Sequence, residues 1–288
     1  MKITSYYVKA SPGEHFTFWE DGIGVALPTR LSEKMGFDLR LNPVTEDYEV
    51  SGDSEIAFCQ LFLKPKSRPA KFVYTVISDV VGHESQVKSW IASVKPNLLL
   101  CLQTVDPDIV RYGAERGCSV ELFPWFVLGE FKDAPKTMTG LCTGCTDPGV
   151  YPNRARIASY LSSMNRSDVV VSCSHNFGKY KLSNSEYADC ISRCKYYLSG
   201  AIYDKYIPPK YYEAAANGAC LVTFHVPGME SVGFVHGETC IVIKRIEEIP
   251  GILASNLYDK IGKNAKKMAL RMHTVENRAG QIQKAYDA

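Results

Sequence analysis

The chain has no long hydrophobic run. No uninterrupted apolar stretch among its 288 residues approaches the roughly 20 needed to cross a bilayer. No apolar core of a signal peptide follows Met1, so export is not expected. Charge of one sign is not in excess either. Thirty-three Lys and Arg against 31 Asp and Glu give a formal charge of +2, which offers no overall field for nucleic acid. No G-x-G-x-x-G turn occurs in 9–13, after the first expected strand, which argues against a dinucleotide-dependent oxidoreductase. Internal repeats and low-complexity segments are absent as well. What remains is a composition compatible with a globular enzyme but not selecting one, with 45% hydrophobic and 22% charged residues, enough for one large or two ordinary domains. The ten cysteines read as reduced thiols of a cytoplasmic chain rather than a disulfide framework. In that compartment the sequon Asn165-Arg166-Ser167 goes unused.

Apolar periodicity alternates between strand and helix along most of the chain. Strands are expected at 2–9, 72–78, 98–102 and 119–123, and helices at 22–34 (despite Pro28), 84–94 and 108–115. The mixed Gly, Pro and charged segment 129–137 reads as a linker. Beyond it, strands at 138–142, 168–172 and 196–198 alternate with helices at 153–164 and 184–194, and 256–286 reads as an amphipathic helix pair. This order predicts an α/β protein of two Rossmann-like domains with a cleft between them.

The segment 207–243 carries the most chemistry. Pro208 and Pro209 suit a helix start, 211–216 are adequate helix formers, Asn217-Gly218 is a left-handed stop, and 220–224 is a short buried strand. Lys210 and Glu213, three residues apart on one helical face, fall just after a strand, at the edge where open parallel sheets bind ligands. Two other helix starts are expected at the same edge. One follows the polar turn 143–152, which contains Thr143 and Gly144 and leads to Arg154, and the other is Pro227-Gly228-Met229-Glu230. Helix N-termini hold phosphate without a metal, so the three starts suit a nucleotide diphosphate. Arg154 and Lys210 would neutralise its charge, and Gly228 would admit its close approach. A solvated surface role is the simpler reading for either cation alone; their order together with Glu213 favours a site.

This segment resembles the C-terminal half of GT-B glycosyltransferases, especially the group 1 glycosyl transferases. The shared pattern is K-x-x-E-A-x-x-x-G-A, an apolar strand, P-G-x-E-x-V, then H-G-E before another apolar strand. Here it is carried by Lys210, Glu213, Ala214, Gly218, Ala219, Pro227, Gly228, Glu230, Val232, His236, Gly237 and Glu238. The resemblance extends back to about Met138. It implies an acceptor-binding domain over 1–130, a nucleotide-sugar-binding domain over 131–288, and a last helix able to pack back on the first domain. It also implies transfer of a sugar from a UDP- or GDP-sugar to a glycan or other hydroxyl acceptor. Glu213 would then bind the donor ribose hydroxyls, with Arg154, Lys210, Gly228, Met229, Thr143 and Gly144 completing the donor site. The nucleotide sugar is a substrate; no metal or further cofactor is expected. Many retaining members place another acidic residue eight positions before the Glu, where this chain has Lys205, with Asp204 one residue off. Inversion, as in virus-encoded or exostosin-like relatives, is therefore expected.

An inverting reaction needs a general base, which falls to the first domain. The stretch 11–22 holds Glu14, His15, Trp19 and Asp21, and the loop after the strand at 72–78 adds Asp79 and His83. The order of preference is Asp21, His15, Asp79. Asp106-x-Asp108 matches the metal-binding D-x-D of GT-A transferases, yet Asp-Pro-Asp is also an ordinary helix cap, the preferred reading. Cys142 and Cys145, like Cys190 and Cys194, have metal-ligand or redox spacing with nothing to complete it, so they are read as plain thiols. The basic run 64–71 reads as a solvated loop, and peripheral membrane contact is not favoured. The alternatives are a metal-dependent GT-A-like transferase using Asp106 and Asp108, or a non-catalytic protein that binds nucleotide sugar or glycan.

Overall fold

The structure is a computed structural model that describes residues 1–8, 25–44, 54–59, 70–77, 84–102, 106–127, 134–175 and 182–288. In chain order the first part comprises β1 (Lys2–Val8), α1 (Leu27–Met35), β2 (Asp38–Val44), β3 (Ile56–Cys59), β4 (Phe72–Ile77), α2 (Glu84–Val94), β5 (Leu98–Cys101), α3 (Pro107–Ala114) and β6 (Ser119–Leu122). The second comprises β7 (Met138–Cys145), α4 (Pro152–Ser163), β8 (Val169–Ser174), α5 (Asn184–Arg193), β9 (Cys194–Leu198), α6 (Pro209–Ala216), β10 (Cys220–Phe224), β11 (Cys240–Ile243), α7 (Ile249–Leu253) and α8 (Leu257–Met272). The last helix, α9, runs Val275–Asp287. The chain divides into two compact units, one made of Met1–Leu128 with Thr274–Ala288, the other of Gly129–His273.

The first unit is a parallel sheet in the order β2-β1-β3-β4-β5-β6. Side chains alternate across it, so neighbouring residues of one strand meet different helices. Val73 packs with Val87, Trp90 and Ile91 of α2, whereas Phe72 meets the ring of Tyr286 from α9 at 5.6 Å. Helix α9 is tied to this unit by polar contacts too. Arg278 Nε donates to Pro124 O at 2.8 Å, Gln281 Nε2 to Leu122 O at 2.9 Å and the Tyr286 hydroxyl to Glu55 Oε1 at 2.7 Å.

Two strands of this unit were not expected from the sequence. β2 sits at the sheet edge, where Pro43 and charged side chains are tolerated but blur the pattern. β3 has only four residues, all buried, too short to show a period. Helix α1 begins at Leu27 rather than residue 22, with Pro28 in its first turn, where a missing N–H costs nothing.

The second unit is a parallel sheet in the order β11-β10-β9-β7-β8. One face packs Cys142, Tyr196, Leu198, Val222 and Ile241 against Ile157, Ala158 and Leu161 of α4 and Ile261 of α8. Tyr211, Tyr212 and Ala214–Ala216 of α6 are fully buried as well. Burying a large aromatic side chain contributes about 2–3 kcal/mol, and this unit draws much of its core from tyrosine. β7 extends to Cys145, so Thr143 and Gly144 lie in a strand and not in the polar turn expected there. They pair with Ser172 and Cys173 of β8. The helix expected at Pro227 is also shorter than its sequence suggests. Only one 3-10 turn forms, Glu230–Val232, closed by Gly233 at φ +90. A Cβ on Gly233 would come within 2.7 Å of Met268 Cγ, so α8 packs too closely there for a side chain.

No helix among the described residues is long and apolar enough to cross a membrane.

Candidate donor site

β7 and β9 are neighbours, but the chain leaves β7 toward β8 and leaves β9 toward β10. Connections that diverge in this way open a crevice at the carboxyl ends of the two strands. Arg154, in the first turn of α4, bridges that point. Its Nη1 donates to Cys145 O at the end of β7, its Nη2 to Gly200 O and its Nε to Ser199 Oγ just after β9, each at 3.1 Å. The guanidinium also stacks on the Tyr151 ring, 3.9 Å from its centroid. Arg154 is only 2% exposed. Such a buried cation is stable because its planar fork satisfies three acceptors at once.

Lys210 and Glu213 lie in the first turn and a half of α6, after β9. The Lys210 ammonium sits 4.2 Å from the centroid of the Tyr187 ring. Burial lowers its pKa, with Glu213 opposing the fall and Arg154 adding to it. Glu213 Oε2 accepts the Tyr187 hydroxyl at 2.5 Å. Behind them, the Tyr197 hydroxyl shares a 2.9 Å hydrogen bond with Thr143 Oγ1. Burial pushes the Tyr187 and Tyr197 phenols well up, so both stay neutral. Gly144 makes the arrangement fit. Its φ is +108, and a Cβ there would lie 3.2 Å from both Arg154 Nη1 and Lys210 Cε; a side chain would have to displace one cation.

Residues 154–284, somewhat under half of the chain, match the family profile described as glycosyl transferase-like. Among solved structures, HepE from Anabaena in complex with UDP-glucose is 11% identical over 100% of this chain and 99% of that chain, with a TM-score of 0.62. AviGT4, a glycosyltransferase involved in avilamycin A biosynthesis, is 11% identical over 100% of this chain and 97% of that one, with a TM-score of 0.53. TarM is 13% identical over 93% of this chain and 58% of that one, with a TM-score of 0.54. The chain has the GT-B fold, and its stretch 154–284 is glycosyl transferase-like. No curated protein sequence matches it.

Within the second unit the structure brings Thr143, Gly144, Arg154, Lys210 and Glu213 to one place. Gly228 and Met229 lie after β10. Gly228 adopts φ +79, and Met229 is fully buried, its sulfur 3.5 Å from the Val226 N–H. The Met229 side chain is thus a packing element, and any donor contact in this turn falls to backbone. His236 Nδ1 accepts from Val242 N at 2.9 Å, which accounts for the H-G-E pattern as a turn that leads into β11. Lys205 and Asp204 sit in a turn closed by a bridge between Ile202 and Tyr206. Tyr203 and Asp204 both have left-handed backbone, φ 50 and 54, and the Tyr203 N–H reaches Val150 O at 2.6 Å.

Several expectations find a different or more local explanation. Asp106 caps α3, its Oδ1 accepting from Asp108 N at 2.7 Å and Ile109 N at 3.3 Å, while Asp108 pairs with Arg111 at 2.6 Å. The preferred reading of Asp106-x-Asp108, a helix cap, is the one the structure shows. Cys142, Cys145, Cys190 and Cys194 are free thiols. Asp21, His15 and Asp79, with Glu14, Trp19 and His83, lie outside the described residues.

Reading the sequence alone missed Tyr187, Tyr197, Ser199 and Gly200. Ser199 and Gly200 directly follow a strand at the ligand-binding edge, a position that could have drawn attention. Nothing local marks Tyr187, which lies 26 residues before Glu213.

Proposed function

We propose that the protein transfers a glycosyl unit from a nucleotide-diphosphate sugar to a hydroxyl of a glycan or glycoconjugate in the cytoplasm, with inversion and without a divalent cation on the donor. A UDP-sugar is the preferred donor, the class present in the HepE crystals, ahead of a GDP-sugar. The observation that carries this reading is the placement of Lys210 and Glu213 at the start of α6, beside the Arg154 bridge, at the switch point of the sheet. The crevice thus offers a cation for diphosphate and a carboxylate for ribose hydroxyls. Thr143, Gly144 and the backbone around Gly228 and Met229 complete the donor site.

In the transfer itself the acceptor oxygen attacks the anomeric carbon and the bond from that carbon to the diphosphate oxygen breaks. The bond pair leaves with the diphosphate, where Lys210 and the field of Arg154 stabilise the growing charge. The acceptor proton passes to a base in the first unit, for which Asp21 stands first, then His15 and Asp79.

The test is calorimetric titration with UDP- and GDP-sugars, wild type against Glu213→Ala. Leaving the ribose hydroxyls unpaired should weaken binding by about 1–3 kcal/mol, in a variant that keeps its far-UV spectrum. Transfer should persist in EDTA. Unchanged donor affinity in the folded variant would remove the main support for this reading.

A further inference from the structure

Lys210 and Glu213 are opposite charges three residues apart on one helix, a spacing at which such side chains ordinarily meet. Here no ion pair forms between them among the described residues, and Tyr187 is in contact with both. It reaches across from α5 and engages both partners separately. Its ring face carries the Lys210 ammonium, 4.2 Å from the centroid, and its hydroxyl holds Glu213 Oε2 at 2.5 Å. A phenol has a single O–H to donate, and the raised pKa keeps that proton in place. One carboxylate oxygen is thereby occupied and the other, Oε1, is left for a ligand.

We propose that Tyr187 is a positioning residue that keeps Lys210 and Glu213 apart, so that the cation remains available to a diphosphate and the carboxylate to a ribose. This inference rests on the donor-site reading of Lys210 and Glu213, and it assigns a task that neither residue can perform for itself. A direct Lys210–Glu213 pair would satisfy each charge internally and withdraw both from the ligand. The aromatic face stabilises the ammonium without consuming its three donors. The hydroxyl fixes the carboxylate rotamer, as supporting groups around binding residues do.

Two variants separate the two contacts. Tyr187→Phe keeps the ring and loses the hydroxyl; Tyr187→Leu loses both. The first measurement needs no ligand: titration of the Lys210 ammonium by lysine-selective NMR in the free protein. Tyr187→Leu should let the pair close and move the Lys210 pKa up, whereas Tyr187→Phe should move it less. The second measurement is the affinity for uridine, UMP and UDP. Tyr187→Phe should weaken uridine binding about tenfold, the loss of one hydrogen bond to a charged group, and leave the gain from UMP to UDP unchanged. Tyr187→Leu should reduce that gain as well.

A residue that merely fills space would lower the affinity of all three ligands by one common factor and leave the Lys210 titration in place; that result overturns the proposal. So does a Lys210 pKa that stays fixed in Tyr187→Leu. If wild-type protein binds none of the three nucleotides, the donor reading fails, and the ligand-free titration still decides whether Tyr187 separates the charges.

Discussion

Two helices of the second unit begin alike and use their cations differently. α4 and α6 each start at a proline after a strand, and each places a basic residue in the first turn, Arg154 and Lys210. The Arg154 side chain turns back on its own unit and spends three nitrogens on Cys145 O, Ser199 Oγ and Gly200 O. Lys210 makes no such bond among the described residues and rests on the face of Tyr187. The difference follows from side-chain chemistry. A planar guanidinium can satisfy several fixed acceptors while buried, whereas an ammonium is a compact charge whose pKa shifts on burial. Arg154 is thus a latch between the segments after β7 and β9, and Lys210 is the cation that we propose for the donor.

The largest effect should come from breaking the latch. Arg154→Met removes three hydrogen bonds of a buried guanidinium, to Cys145 O, Ser199 Oγ and Gly200 O, a loss of about 3 kcal/mol or more in urea denaturation. Arg154→Lys should recover little of it, because one ammonium cannot span the three acceptors. A loss under about 1 kcal/mol would mean that the loops are held by something else.

Lys210→Met should give the opposite profile. Removing a charge that burial already disfavours should change stability by less than about 1 kcal/mol. Donor affinity, measured by calorimetry, should fall by about 1.5–3 kcal/mol. Equal destabilisation by the Arg154 and Lys210 variants would erase the distinction between latch and ligand cation.

The smallest effect belongs to a basic residue that faces water. Arg166 holds Asp168 through Nε–Oδ1 at 2.9 Å and Nη2–Oδ2 at 2.7 Å, at the start of β8. This hydrogen bonding, with help from Thr139, keeps the Asp168 carboxyl well below the usual carboxylate range. The Asp168 side chain is 42% exposed, so Arg166→Ala should cost only about 0.5–1 kcal/mol at neutral pH. Because the folded-state pKa lies below the unfolded one, this contribution is present above the unfolded value of 3.8 and is lost as pH falls below it. The stabilities of wild type and Arg166→Ala should therefore converge in acid. Glu55 in the first unit, lowered by Tyr286 and then Lys71, adds a loss in the same direction.

What the sequence by itself determined is local. Apolar periodicity located α2 and β10 to the residue, and the Asp106 cap was readable because its acceptor and donors lie within three residues. The K-x-x-E spacing placed Lys210 and Glu213 on one helical face for the same reason. Tertiary structure decided the rest. Thr143 and Gly144 read as a turn by type, yet they are strand residues because β8 pairs with them and because only glycine leaves room for two cations. Arg154 became a latch because β7 and β9 are sheet neighbours although β8 lies between them in sequence. Tyr187 came to contact both Lys210 and Glu213 from a separate helix. Each of these depends on which strands lie side by side. Residue periodicity encodes which face of an element is buried, but not which neighbour buries it.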